Sequence, residues 1–206
     1  TYKYTLSFSL SYSNIRDYFA RVTEAVGENK NFISTRNVAD QELVNFSVSY
    51  PLKIKDWWSV YANAYVYNSK YIATNPTFIS TELTTYGGYA QNTFKLPKDL
   101  SFEMSGWFLG PSIWGGTYEI EPLGSLNLAV QKNWYNWSAK VSLNDAFYSI
   151  PWSGSTQFGN LFIDGTGGGD TRNVSFYLSH AFGNKEVKNQ RDREGGVKDE
   201  QNRIGN

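Results

Sequence analysis

The sequence predicts an all-β protein made mainly of long antiparallel strands. Aromatic residues make up 17% of its 206 residues, and charged residues only 18%. Aromatic side chains are enriched in strands, where they pack well on a pleated surface. Apolar and polar residues also alternate with a period of two through most of the chain, which gives a strand one apolar and one polar face.

The first four strands are predicted at 2–22, 32–50, 57–71 and 78–96. Strand 2–22 opens with apolar residues that alternate with serines, and the second strand repeats this pattern with Val, Phe and Tyr. In the third strand the apolar face carries Trp58, Val60, Ala62, Ala64 and Val66. The fourth is less regular, because both of its faces carry polar residues.

The last four strands are predicted at 99–110, 121–132, 137–148 and 171–182, with a short extra hairpin around 156–164. The alternation across the chain places one set of positions on the apolar face: Phe8, Phe46, Phe102, Leu128, Val141 and Phe176. Residues of opposite parity define the polar face: Glu103, Asn127, Gln131, Lys140 and Asn144.

The connections between these strands alternate in length. Those at 51–56, 96–98 and 133–136 are short, whereas those at 23–31, 72–77, 111–121 and 148–171 are longer. Short and long connections therefore lie at opposite ends of the sheet, as in transmembrane β-barrels with short periplasmic turns and long extracellular loops. Several predicted strands reach 15 residues or more, beyond the roughly 9–11 residues that cross a bilayer.

Aromatic residues cluster at the short-connection end: Trp57, Trp58, Trp134, Tyr135 and Trp137. Such rings favour a membrane–water boundary because an apolar body carries one polar tip. We therefore expect a transmembrane β-barrel in the outer membrane, formed by residues 1–182. The charged segment 183–206 has 11 charged residues among 24 and no aromatic residue, so we expect a disordered periplasmic tail.

Composition excludes several function classes. The formal net charge is zero, with 19 basic and 19 acidic residues, which argues against nucleic-acid binding. With no cysteine and one histidine, thiolate zinc sites, cysteine nucleophiles and multi-histidine metal sites are impossible. We expect no enzyme activity, catalytic residue, metal or cofactor. The chain starts at Thr1 without Met or signal peptide, as a mature form or a piece of something longer would.

Several segments together carry a resemblance to a known family. They are 6–13 (LSFSLSYS), 55–60 (KDWWSV), 92–98 (NTFKLPK), 126–132 (LNLAVQK), 142–147 (SLNDAF) and the last strand from Arg172 to Phe182. The chain resembles the C-terminal part of the barrel of TonB-dependent outer-membrane receptors. His180 departs from the aromatic residue that the family usually has at this position before the terminal Phe-Gly.

The resemblance implies a segment of a 22-stranded barrel that imports a nutrient by TonB-coupled uptake. Its partners would be outer-membrane lipid, upstream barrel strands, a plug domain, a nutrient of unknown identity and TonB, the last through a segment absent from this chain. The polar-face residues would then line the lumen or hold the plug. The best ligand-binding candidates are aromatic residues in the long connections, Trp114, Tyr118, Trp152 and Phe158, because such rings stack on sugars and hold apolar ligands.

Two alternatives remain open at this point. The first is a complete eight-stranded outer-membrane barrel, which the strand count and the terminal Phe182 fit equally well. The second is a soluble, aromatic-rich β-sandwich that binds carbohydrate. The alternation of short and long connections and the length of the predicted strands favour a membrane barrel over the sandwich.

Overall fold

The computed structural model describes residues 5–26, 30–75, 78, 80–158 and 161–182. Its regular structure is β-strand throughout, and the described ranges contain no helix capable of crossing a membrane. Twelve strands follow one another: β1 (Ser7–Ala25), β2 (Asn31–Lys55), β3 (Trp58–Ala73), β4 (Thr81–Leu96), β5 (Leu100–Leu109), β6 (Ser112–Trp114), β7 (Tyr118–Ile120), β8 (Leu123–Trp134), β9 (Trp137–Asn144), β10 (Trp152–Phe158), β11 (Leu161–Gly167) and β12 (Asn173–His180).

Two sheets contain these strands. The main sheet has eight strands in the order β1-β2-β3-β4-β5-β8-β9-β12, and the loop sheet has four in the order β11-β10-β7-β6. All pairings are antiparallel, which confirms the predicted all-β antiparallel class. The prediction of eight strands holds for the main sheet, whereas the described residues form twelve strands in all.

The loop sheet accounts for the difference. The connection predicted at 111–121 contains β6 and β7, each only three residues long. Strands of that length show too little alternation to be detected from sequence. The hairpin predicted around 156–164 is present, but its strands begin at Trp152 and end at Gly167. The disordered tail predicted at 183–206 lies outside the described residues.

Strand ends also differ from prediction at two informative places. β2 continues past residue 50 to Lys55, and Pro51 pairs with Tyr61 of β3. Among the described residues the pairing of β2 with β1 starts at Ser49, so Pro51 has one paired neighbour there, on β3, and its missing N–H is tolerated. β9 ends before Asp145, not at residue 148, because Asp145 adopts a left-handed backbone with φ 46°.

The register gives the main sheet two distinct faces. Directly opposite residues of neighbouring strands point to the same face. Phe46 lies opposite Leu10 and Val66, and Val141 lies opposite Val130 and Phe176. Followed across all eight strands, the register confirms that the six predicted positions share one apolar face. Large apolar side chains on this face are exposed, with Phe8 at 64% and Phe176 at 66%.

The two outermost strands each have one hydrogen-bonded neighbour among the described residues. β1 pairs with β2, and β12 pairs with β9. The main sheet is therefore open between β1 and β12 in the part of the chain that the structure describes. Each of these strands presents a row of backbone donors and acceptors along its outer edge.

The buried core lies at the long-loop end, beyond the apolar face. There β1 and β2 extend past the end of β3. The buried cluster at this end consists of Ala20, Val22, Val38, Ala39, Tyr71 and Phe78. A bulge in β1 between Ile15 and Phe19 turns the strand, and Asp17 at this bulge has φ 55°. Its backbone N–H donates to the carboxylate of Asp40 at 3.0 Å.

Aromatic rings gather at the short-turn end, as predicted. Trp58 stacks on Phe94 with ring centroids 5.7 Å apart, and Phe94 stacks on Phe102 at 5.8 Å. The ring centroid of His180 lies 4.3 Å from the ring centroids of both Trp137 and Phe182, on the apolar face of the main sheet. The imidazole thus takes the place of an aromatic ring in this belt.

We expect the apolar face to contact lipid, and Phe176 at the centre of β12 tests this. Phe176→Arg should lower the free energy of unfolding in phospholipid vesicles by about 2–4 kcal/mol, since a cation at the bilayer midplane loses its hydration. Ser175→Arg places the same charge on the opposite face and is the matched control. Equal losses for both variants would contradict the assignment.

Candidate binding cavity and polar face

The loop sheet is fastened to the main sheet at the long-loop end. The backbone N–H of Arg21 in β1 donates to the carbonyl of Gly115 at 2.9 Å, and the hydroxyl of Thr117 donates to the carbonyl of Arg21 at 3.2 Å. Thr156 in β10 donates to the carbonyl of Thr117 at 2.8 Å. These bonds tie the β6–β7 hairpin to β1 on one side and to β10 on the other.

The tight turn of this hairpin requires glycine. Gly115 and Gly116 have φ values of 63° and 81°. A Cβ at Gly116 would lie 3.2 Å from the Cβ of Ala20 and 3.4 Å from ring atoms of Tyr18 and Tyr71. The missing side chain therefore lets the hairpin pack directly on the buried cluster at the long-loop end.

Trp114 is held in place by its neighbours. The guanidinium of Arg21 lies 4.6 Å from the centre of its ring, in cation–π geometry. Tyr118, opposite Trp114 in the hairpin, has its ring centroid 6.1 Å away. The indole is thus positioned by two contacts that need no ligand.

Trp152 in β10 is positioned by the strand beside it. It pairs with Gly167, and a Cβ on Gly167 would come within 2.7 Å of indole atoms of Trp152. The glycine therefore leaves the space in which this indole lies against β11. Any larger residue at 167 would displace the ring.

A cavity of about 560 Å³ separates the loop sheet from the main sheet. Three lining residues come from the polar-parity face of the main sheet, namely Tyr67, Leu109 and Leu123. The others belong to the loop sheet and its connections: Ser112, Ile113, Trp114, Ile120, Ile150 and Trp152. The cavity therefore lies on the face opposite the exposed apolar one, at the long-loop end.

The four predicted ligand-binding aromatics are distributed unevenly around this cavity. Trp114 and Trp152, which are far apart in sequence, both line it. Tyr118 is not among the lining residues and contacts Trp114 instead. Phe158 is described only as the last backbone position of β10, opposite Leu161. A role in ligand binding stays a prediction for all four.

Sequence reasoning missed the aliphatic part of the lining. Ile113 and Ile120 belong to strands too short to be predicted, and Ile150 lies in a connection. Tyr67 and Leu109 were placed on strands, but their approach to the loops depends on how the loop sheet folds back. The only available signal was the apolar character of the connections around 113 and 150.

Asp145 organises the connection that leads to the loop sheet. Its carboxylate is fully buried and accepts hydrogen bonds from the Thr171 hydroxyl at 2.6 Å, the Ser149 N–H at 2.9 Å and the Ile150 N–H at 3.4 Å. It lies beyond the end of β9. Burial by itself raises the pKa of Asp145, but these hydrogen bonds outweigh it and hold the pKa below its ordinary value.

The five predicted polar-face residues lie opposite the exposed apolar face. Four of them, all except Gln131, line a cavity of about 370 Å³ beside β12: Glu103, Asn127, Lys140 and Asn144. The ammonium of Lys140 lies 3.9 Å from the carboxylate of Glu103, which also accepts a bond from Gln91 at 3.1 Å. The pair is about one-third exposed, so its contribution to stability is small.

The amide residues of this face have local partners. Asn127 accepts the backbone N–H of Asp145 at 2.9 Å and so helps to end β9. Asn144 donates to Asn173 of β12 at 2.8 Å, and Gln131 donates to Ser138 at 3.0 Å. Their function as lumen-facing groups stays a prediction.

A row of long antiparallel strands with one exposed apolar face, one polar face and aromatic rings at the short-turn end is the architecture of an outer-membrane β-barrel. The chain matches the Outer membrane protein beta-barrel family over residues 1–180, and it belongs to that family. Its location is therefore the outer membrane, which excludes the soluble sandwich. No curated protein and no solved structure matches the chain.

Asp145→Ala should destabilise the connection after β9. The variant leaves the Thr171 hydroxyl and the amides of Ser149 and Ile150 without their acceptor, which costs about 1–3 kcal/mol. Unfolding by denaturant in vesicles, followed by tryptophan fluorescence, measures this loss.

The same carboxylate makes a pH-dependent contribution. Its folded pKa lies below the unfolded value of about 3.9, so the stabilisation is present above that pH and is lost as pH falls through the folded pKa. Asp145→Asn should remove this acid-sensitive part, whereas Asp170→Asn, at an exposed site in the connection between β11 and β12, should keep it. An unchanged acid profile in Asp145→Asn would refute this role.

Proposed function

We propose that the chain forms part of the wall of an outer-membrane receptor that imports a nutrient by TonB-coupled uptake. The observation that carries this proposal is the open main sheet, whose polar face carries a cavity of ligand size at the long-loop end. In this proposal further strands close the open sheet, and the cavity on the inner side of the long loops gives a ligand a place to bind before transport.

The edges of the sheet provide the first line of support. Lipid offers no hydrogen-bond partner to a backbone group, so each strand in the bilayer pairs on both sides. The outer edges of β1 and β12 are unpaired among the described residues. We propose that upstream strands of the full-length protein pair with them and close a larger barrel.

The polar face provides the second line of support for this proposal. It presents Glu103, Lys140 and Gln91 as a linked group of partly exposed side chains. Such groups suit contact with water or with a folded domain inside the barrel. We propose that a plug domain contacts this face, and that TonB acts through a segment outside this chain.

A complete small barrel is the second candidate, because the main sheet has eight strands and eight is the smallest number in single-chain outer-membrane barrels. In that case β1 and β12 of the same chain pair with each other. The two candidates therefore differ in one measurable contact.

Paired cysteines test that contact in outer membranes from cells producing the full-length protein. Ser9 in β1 is combined with Ser175 or Ser179 in β12, three positions of polar-face parity. For the receptor we expect no disulfide between β1 and β12. Ser142→Cys with Ser175→Cys, a directly paired couple of β9 and β12, is the positive control. A β1–β12 disulfide as efficient as the control would establish the small barrel instead.

Energy coupling is tested by formaldehyde cross-linking in intact cells. We expect an adduct of the full-length protein with TonB, detected by antibodies to both and missing from a strain without TonB. A porin in the same membranes is the negative control. If a known TonB-dependent receptor is cross-linked in those cells and this protein is not, the coupling proposal fails.

A further inference from the structure

We infer that the cavity between the loop sheet and the main sheet binds an uncharged aromatic or alicyclic group of a ligand, held against the indoles of Trp114 and Trp152. The physiological meaning of this inference rests on the proposed receptor function. The binding itself follows from the composition, shape and support of the cavity.

The lining determines the class of ligand. None of the nine lining residues is charged, and their side chains offer only the hydroxyls of Ser112 and Tyr67 and two indole N–H groups as polar partners. A sugar ring or an ionic group would lose more hydration in this cavity than these few groups restore. Five aliphatic and three aromatic side chains instead favour a flat apolar group.

Two other cavities on the polar face differ in this respect. The one beside β12 is lined by Glu103 and Lys140, and one at the short-turn end is lined by Lys53, Lys55 and Lys95. Those cavities suit water or charged partners. Among these three cavities of the polar face, the apolar lining is therefore specific to this one. A further cavity of about 580 Å³ also lacks charged lining residues, but it lies mainly on the exposed apolar face, beside Ala64, Ala90 and Met104.

The walls are supported without a ligand. Arg21 and Tyr118 contact the indole of Trp114. The indole of Trp152 occupies the space beside Gly167. Hydrogen bonds from Thr117 and Thr156 hold the hairpin in place. A volume of about 560 Å³ lies in the range of small-molecule sites, which are usually formed in advance. A ligand that enters this cavity therefore binds with a small entropy cost for ordering the protein side chains.

Photolabelling with benzophenone, an uncharged aromatic probe, tests the inference in outer membranes that contain the full-length protein. Labelled peptides are identified by mass spectrometry, with 2-naphthol, 2-naphthoate and maltose as competitors. We expect saturable labelling of residues 109–123 and 150–152 that 2-naphthol suppresses and the other two do not. Labelling of the lipid-facing side should not saturate.

Two variants with a matched control complete the test. Ile150→Trp fills the cavity from a connection and should abolish saturable labelling, whereas Val130→Trp adds the same ring to the exposed apolar face and should leave it unchanged. Trp152→Ala should raise the 2-naphthol concentration for half-suppression about 30-fold, as loss of an aromatic anchor does. Heat-modifiable migration in gels shows that each variant is folded.

Each outcome is decisive for the cavity alone. Labelling that does not saturate, that survives Ile150→Trp in folded protein, or that 2-naphthoate or maltose suppresses equally well would overturn the inference. TonB cross-linking tests the receptor function separately. Saturable labelling without a TonB adduct would therefore retain the binding site and remove only its role in uptake.

Discussion

Backbone hydrogen bonding in lipid is the constraint on which this structure depends. Within the bilayer each N–H and C=O must find a partner in the protein, and long antiparallel strands in continuous register satisfy this along their length. The same register sends alternate side chains to opposite faces. The apolar face with Phe46 and Val141 and the polar face with Glu103 are therefore two consequences of one pairing pattern.

Because the apolar side chains of the main sheet face outward, the conventional core lies elsewhere. It forms at the long-loop end of β1, β2 and β3, and the β6–β7 hairpin packs on it through Gly116. This packing supports one wall of the cavity between the loop sheet and the main sheet, because the same hairpin carries Trp114. The proposed binding cavity thus depends on a core at the long-loop end of the sheet.

The sequence was sufficient for features that repeat with the strand period and insufficient for features that depend on long-range folding. Phe102 and Leu128 could be assigned to one face because alternation is local. Trp114 and Trp152 could be identified as loop aromatics, but their meeting at one cavity requires the pairing of β7 with β10. Asp145 gave no recognisable signal, because its function depends on folding: Ser149 and Ile150 donate from the connection after β9, and Thr171 donates from the separate connection before β12.

The loop sheet also links distant parts of the main sheet. Its hairpin follows β5 along the chain but bonds to Arg21 of β1, and the cavity beneath it is floored by Tyr67 of β3, Leu109 of β5 and Leu123 of β8. A change in the curvature of the main sheet at the long-loop end would therefore change the distance between the main-sheet residues and the loop-sheet residues that line the cavity. By thermodynamic reciprocity, a group bound between them favours the curvature that fits it. If the proposed ligand binds, occupancy of the cavity is therefore expected to be coupled to the shape of the adjoining strands through these contacts.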